Sequence, residues 1–109
     1  MRKQAYGIGL AMGVGILASA SVAVAGPAIT TQWTDTTLSQ EECLERAERA
    51  IQDSRYSRLE RVGQSRFGTR GDYTASIRCV ASKNIVFFII SGPSRDRTSG
   101  DMDKLFSNF

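Results

Sequence analysis

The sequence predicts an α+β fold: a small antiparallel sheet of three to four strands with two helices packed on it, in the order (β)αβββα. A capped amphipathic pattern after Ser39 predicts the first helix. A clean polar/apolar alternation from Asp72 to Val80 predicts a strand. Apolar residues at helical spacing near the end of the chain predict the second helix. The two cysteines, Cys43 and Cys79, add a disulfide between helix and strand to this prediction.

The first 25 residues form a separate pattern. Arg2 and Lys3 precede a stretch rich in Gly and Ala, which ends on Ala-Val-Ala at 23–25. This arrangement is typical of a secretory signal peptide cleaved before Gly26, and it predicts a secreted or periplasmic protein. The alternative is an uncleaved membrane anchor, because about 20 consecutive apolar residues can cross a bilayer.

Cleavage would also change the charge. The whole chain carries a net charge of +3, and loss of Arg2 and Lys3 lowers it to about +1. A nearly neutral exported chain is not expected to bind intracellular nucleic acid. Residues 39–109 are short enough to be one α+β domain, preceded at 26–38 by an N-terminal arm or a short edge strand.

The first helix begins with a capping box. Ser39 stands three residues before Glu42, so each side chain can satisfy the other's free backbone N–H. Apolar residues then recur at spacings of three and four and form one buried stripe, made of Cys43, Leu44, Ala47, Ala50 and Ile51.

Strand-like segments follow the helix. Residues 55–67 are predicted as one irregular strand with a bulge or bend near Val62-Gly63, and a turn follows at 68–71. In the strand from Asp72 to Val80, Cys79 falls on the core side, as Cys43 does on its helix. This agreement favours a Cys43–Cys79 disulfide over two buried free thiols.

A continuous apolar run spans Ile85 to Ile90, ahead of Gly92-Pro93. It predicts a central strand covered on both faces, or a strand that lines a dimer interface in so small a domain. The closing helix is predicted to start near Ser99, because Gly100 weakens the helical pattern before it.

The middle of the chain is basic. If the strands lie side by side, several arginines are expected on the solvent face of the sheet, where they would bind an anionic envelope polymer. The alternative is a solvated face whose charges pair with nearby acids. The candidate anion-binding residues are Arg58, Arg61, Arg66, Arg70 and Arg78.

No pattern predicts catalysis, a metal or a cofactor. The chain contains no His, which removes the commonest general base and the commonest metal ligand. The remaining acid/base set is Arg70, Asp72 and Tyr73, sequence neighbours whose side chains alternate across a strand. A non-enzymatic protein is therefore expected.

The segments CLERAE, GDYTASIRC and NIVFFIISGPS, in this order, resemble small exported bacterial proteins with one disulfide and no assigned activity. The resemblance implies export and a disulfide-stapled α+β domain, and it implies no site. The expected function is that of an exported binding module for an anionic envelope component. The alternative is a protein–protein interaction module whose contact surface is the apolar strand Ile85–Ile90. Such a protein would be an inhibitor, an immunity-type partner of another exported protein, or a subunit of a homodimer.

Overall fold

The computed structural model describes residues 26–109, so the predicted signal peptide at 1–25 lies outside the described residues. The chain forms β1 (Ala28–Asp35), α1 (Gln40–Asp53), β2 (Ser57–Val62), β3 (Ser65–Arg70), β4 (Tyr73–Val80), β5 (Ile85–Gly92) and α2 (Arg95–Asn108). A short 3-10 turn at Ala81–Lys83 joins β4 to β5. None of the helices between residues 26 and 109 is long and apolar enough to span a membrane.

The strands form one sheet in the order β1-β5-β4-β3-β2, and every neighbouring pair is antiparallel. The predicted α+β class, the antiparallel sheet and the two helices are confirmed, but the sheet has five strands rather than three to four. The prediction of one irregular strand over 55–67 is wrong. The chain reverses at Gly63, whose φ of 57° glycine adopts without strain, and β2 and β3 form a hairpin.

Helix α1 starts with the predicted capping box. The backbone N–H of Glu42 donates to Ser39 Oγ at 3.1 Å, and the backbone N–H of Ser39 donates to Glu42 Oε1 at 3.1 Å. The helix lies close to β3 because Gly68 has no side chain. A Cβ added at Gly68 would stand 2.5 Å from Ile51 Cγ2.

Helix α2 begins at Arg95, a full turn before the predicted start near Ser99. Ser94 caps it, because Ser94 Oγ accepts the backbone N–H of Arg97 at 3.3 Å. This cap offsets the weak helical preference of Gly100.

Both helices lie on one side of the sheet. Helix α1 contacts β2, β3 and β4, whereas α2 contacts β1 and β5. The core between them contains mainly Cys43, Ala47, Ala50, Ile51, Tyr73, Ala75, Ile77, Cys79, Val86, Phe88, Ile90, Met102 and Leu105.

Strand β5 therefore has one covered face, and the prediction that both of its faces are covered is wrong. Val86, Phe88 and Ile90 are fully buried against the helices. Phe87 and Ile89 point to the other side and remain exposed. The run is apolar throughout, so its sequence lacks the alternation that usually marks a half-exposed strand.

The predicted disulfide between Cys43 and Cys79 is confirmed, with a Cα–Cα distance of 6.1 Å. It joins the first turn of α1 to the end of β4, and the two residues are 36 positions apart in the chain. Both cysteines are fully buried. The bond fixes α1 against the middle strand of the sheet.

Replacing both cysteines (Cys43→Ala with Cys79→Ala) should lower the free energy of unfolding by about 3–4 kcal/mol, because the bond restricts the unfolded chain. Urea unfolding measures the loss, and the wild-type protein under reducing conditions should show nearly the same midpoint. An unchanged midpoint in the double variant would contradict the stabilising role of this bond.

Candidate partner-binding face

The side of the sheet opposite the helices is called the open face here. Trp33 lies directly opposite Phe87, and Phe87 lies directly opposite Arg78. Directly opposed residues of antiparallel strands project to the same side. The open face is thus made of Ile29, Thr31, Trp33, Asp35, Ile85, Phe87, Ile89, Ser91, Thr74, Ser76, Arg78, Val80, Ser65, Phe67, Thr69, Glu60 and Val62.

Four large apolar side chains form a patch at the β1 side of the open face. The apolar patch consists of Ile29, Trp33, Phe87 and Ile89, with exposed fractions of 57%, 58%, 39% and 38%. Phe87 faces Trp33 across the strands and Ile89 follows two residues along β5, so the side chains are neighbours. Single exposed apolar residues are common, but a contiguous group with a Trp and a Phe is typical of a binding surface.

Few charges lie on the open face. Arg78 stands beside Phe87 and donates from Nη2 to Gln64 Oε1 at 2.9 Å. Asp35 lies at the end of β1, and Glu60 lies on the far strand β2. The apolar patch is therefore free of acidic and basic side chains except at its margins.

The five candidate anion-binding arginines do not share one face. The reversal at Gly63 places Arg61 directly opposite Arg66. The β3–β4 register places Arg66 opposite the buried Ile77, so both arginines point to the helix side. Arg78 points to the open side.

The two remaining candidates occupy other positions. Arg70 faces Tyr73 on the helix side of the sheet. Arg58 lies where the β2 register shifts, with a φ of 55°.

Glu48 on α1 holds two of these arginines. Arg61 Nε donates to Glu48 Oε2 at 2.7 Å, and Arg66 Nε donates to the same oxygen at 2.8 Å. The hydrogen bond from Arg61, supported by Arg66, lowers the pKa of Glu48 below its ordinary value. Arg61 and Arg66 thus bind α1 to the β2–β3 hairpin, and the single carboxylate of Glu48 balances one of their two positive charges.

Arg70 contributes to a different group of cations. It lines a cavity of about 470 Å³ together with Arg55, Lys104 and Asp53, near the ends of both helices. Within residues 26–109, none of the three basic side chains forms an ion pair. At the cavity wall, Asn108 Nδ2 donates to the buried Ser54 Oγ at 2.9 Å.

Arg70, Asp72 and Tyr73 are not gathered into an acid/base site. The Tyr73 hydroxyl accepts the backbone N–H of Ser94 at 3.1 Å, and its ring lies under Arg97, 4.6 Å from the guanidinium carbon. Tyr73 is buried, whereas Asp72 is exposed.

A second buried tyrosine has a structural partner. Tyr56 donates its hydroxyl hydrogen to Asp101 Oδ2 at 2.9 Å, and burial with this bond raises the Tyr56 pKa. In the part of the chain that the structure describes, no group of three or more Cys, Asp or Glu side chains is arranged to hold a metal ion.

Sequence reasoning missed the apolar patch as a unit. The sequence predicted an arm or edge strand at 26–38 and an apolar strand at Ile85–Ile90, but it did not place Trp33 opposite Phe87. The pairing depends on a β1–β5 register between segments more than 50 residues apart. The signal available in the sequence was the short Thr-rich alternation around Trp33.

Comparison of the chain with protein-family models, with curated proteins and with solved structures gives no match.

The Glu48 contact predicts a pH-dependent stability. A carboxylate whose pKa is lowered in the folded state stabilises the fold above its ordinary pKa, and this contribution disappears as the pH falls through the folded-state pKa. The free energy of unfolding should therefore fall less in Glu48→Gln than in wild type when the pH is lowered from about 6 to about 3. The expected difference between the two decreases is about 1 kcal/mol or less.

Urea unfolding across this pH range measures the difference. Glu45→Gln is the matched control, because Glu45 lies on the same helix and forms no ion pair within residues 26–109. Equal pH dependence of Glu48→Gln and Glu45→Gln would contradict the assigned role.

Proposed function

We propose that the protein is an exported, non-enzymatic protein–protein interaction module, and that its open face binds a partner protein. The observation that carries the proposal is the contiguous apolar patch of Ile29, Trp33, Phe87 and Ile89 on the side that the helices leave uncovered. Keeping such a group in water is unfavourable by about 25 cal/mol for each Å² of apolar surface. A partner that covers the patch removes this penalty.

The chemistry of the patch suits a protein partner. Trp and Phe are enriched at the energetic centres of protein interfaces, where large side chains enter pockets of the partner. The polar margin contains Arg78, Ser76 and Thr31, whose side chains can donate and accept hydrogen bonds around an apolar centre.

Two observations support the export part of the proposal. The first 25 residues have the pattern of a secretory signal peptide. The Cys43–Cys79 disulfide is of the kind that persists in oxidising compartments. The partner would then be another exported protein or an envelope protein.

Affinity capture from extracytoplasmic extracts, washed at low and then high salt, tests this proposal. The face variant carries Phe87→Thr with Ile89→Thr, and the control Val62→Thr changes an equally apolar open-face residue that lies on β2, outside the patch. Wild type and control should retain the same partner at high salt. The face variant should bind the purified partner at least tenfold more weakly, because it loses apolar contact area at the interface centre.

Thermal unfolding must show that the face variant is folded. A partner that the face variant binds with undiminished affinity would contradict the proposal. So would a partner that dissociates from wild type, control and face variant alike in high salt.

A second candidate function is the binding of a small anion in the cavity that Arg70 lines. Arg55, Arg70 and Lys104 bring three positive charges to a cavity that holds one acid, Asp53. Basic side chains converging on one cavity can bind phosphate or carboxylate groups. This second function retains the anionic ligand that the sequence predicts. Of the five predicted arginines, Arg70 is the one that lines the cavity.

Titration with inorganic phosphate, followed by amide chemical shifts, tests the second candidate. Saturable shifts are expected at Ser54 and Ser107, which line the cavity. Arg70→Gln should weaken binding several-fold, whereas Arg78→Gln on the open face should leave it unchanged. Shifts that do not saturate, or equal binding by both variants, would contradict it.

A further inference from the structure

The two edges of the sheet differ in how they are protected. Strand β2 has a register shift between Ser57 and Glu60, and Arg58 there has a left-handed φ of 55°. Its charged side chains include Arg58, Glu60 and Arg61. Bulges and charges are the features by which natural edge strands avoid pairing with other chains.

Strand β1 lacks these features. It pairs with β5 without a break from Ala28 to Asp35, and the segment before Asp35 has no charge and no proline. An unprotected strand of this kind offers a row of backbone donors and acceptors to another strand.

The free backbone groups of β1 can be assigned. The N–H of Thr36 donates to the Asn84 carbonyl at 3.0 Å, and this pair continues the β1–β5 register. In an antiparallel ladder, hydrogen-bonded pairs alternate with pairs that are not bonded. The even-numbered residues of β1 therefore bond to β5, and the N–H and C=O groups of Ile29, Thr31, Trp33 and Asp35 point out of the sheet.

No hydrogen bond within residues 26–109 uses these outward backbone groups. The same residues carry Ile29 and Trp33 on the open face, the two most exposed side chains of the apolar patch. The edge thus combines unpaired backbone groups with uncovered apolar side chains.

We propose that β1 pairs antiparallel with β1 of a second copy of this chain, with the two Thr31 residues facing each other at the symmetry axis. In this register Ile29 lies opposite Trp33 of the second copy, and the reverse contact forms by symmetry. Ile29, Thr31 and Trp33 all present outward backbone groups, so each facing pair exchanges both of its N–H···O=C bonds. The two sheets join into one, and the two open faces become continuous.

This register pairs side chains of like chemistry across the two copies. Each exposed apolar side chain of β1 gains an apolar partner, and Thr31 faces Thr31. Asp35 falls opposite Pro27 rather than opposite the other Asp35, so the two carboxylates stay apart. Pro27 has no N–H to donate, and the ladder ends there. An unrelated extended peptide would not be expected to match this pattern.

The inference deepens the proposed function, since it names a partner for the β1 margin of the open face. It uses the backbone edge with the Ile29 and Trp33 side chains of β1, whereas the face variant that tests the proposed function changes only Phe87 and Ile89 on β5. The two can therefore fail separately.

Sedimentation equilibrium of the purified protein, expressed from the full sequence, tests the inference. Thr31→Lys places two positive side chains directly opposite each other at the axis, and the control Thr37→Lys puts the same charge on the exposed loop after β1. Wild type and control should form a reversible dimer. Thr31→Lys should weaken dimerisation at least tenfold while keeping the circular dichroism spectrum of the folded protein.

A second readout tests the register. In a mixture of isotope-labelled and unlabelled chains, nuclear Overhauser contacts between chains are expected from Ile29 to Trp33. A protein that stays monomeric at all concentrations overturns the inference. So does a dimer that Thr31→Lys leaves intact or that lacks these contacts.

The face variant separates the two proposals. An edge dimer that persists in Phe87→Thr with Ile89→Thr, while the wild-type protein captures no other partner, supports the inference and contradicts the proposed function. A dimer that only the face variant disrupts shows face-to-face association and overturns the edge pairing.

Discussion

The disulfide between Cys43 and Cys79 fixes α1 on the apolar side of the sheet. It binds the first turn of α1 to the end of β4, the middle strand of the sheet. Helix α2 covers the rest of the same side, where Phe88 lies edge-to-face against Phe106 and Phe109 with ring centres 5.0 and 5.2 Å apart. Within residues 26–109, both helices lie on one side of the five-stranded sheet, so these residues leave its other face uncovered. The apolar patch follows from this imbalance.

The open face and the β1 edge are parts of one surface. Trp33 belongs to both, because its side chain lies in the apolar patch and its backbone groups point out of the sheet. The opposite edge is closed by a register shift and by charges, and the helix side is held by the Glu48 contact with Arg61 and Arg66. The interactions that stabilise the fold are thus kept away from the surface proposed for binding.

Local patterns in the sequence predicted the local structure well. The capping box of Ser39 and Glu42 and the alternation around Cys79 involve residues that are close together in the chain. The disulfide could be predicted because each cysteine lies on the apolar face of its own element. The predictions that failed depend on contacts between distant segments. The uniformly apolar run Ile85–Ile90 contains no sign of which residues face solvent, and the bend predicted near Gly63 is a complete reversal. The β3–β4 register pairs Arg66 with Ile77 and Ser65 with Arg78, so it places Arg66 and Arg78 on opposite sides of the sheet. Charge counting alone could not show this, and it therefore could not locate a common arginine surface.

Trp33 is the single tryptophan of the chain, so tryptophan fluorescence, excited where tyrosine does not absorb, reports on the proposed binding surface. The central claim is that residues 26–109 leave this surface uncovered and that a second protein binds to it. The most direct measurement is the Trp33 emission and its quenching by acrylamide as the protein is concentrated. The account predicts solvent-exposed, easily quenched emission at low concentration. It predicts a partial shift to shorter wavelength and partial protection from acrylamide as edge dimers place Ile29 of the second copy beside Trp33. Emission that is already blue-shifted and protected in the dilute monomer would contradict it.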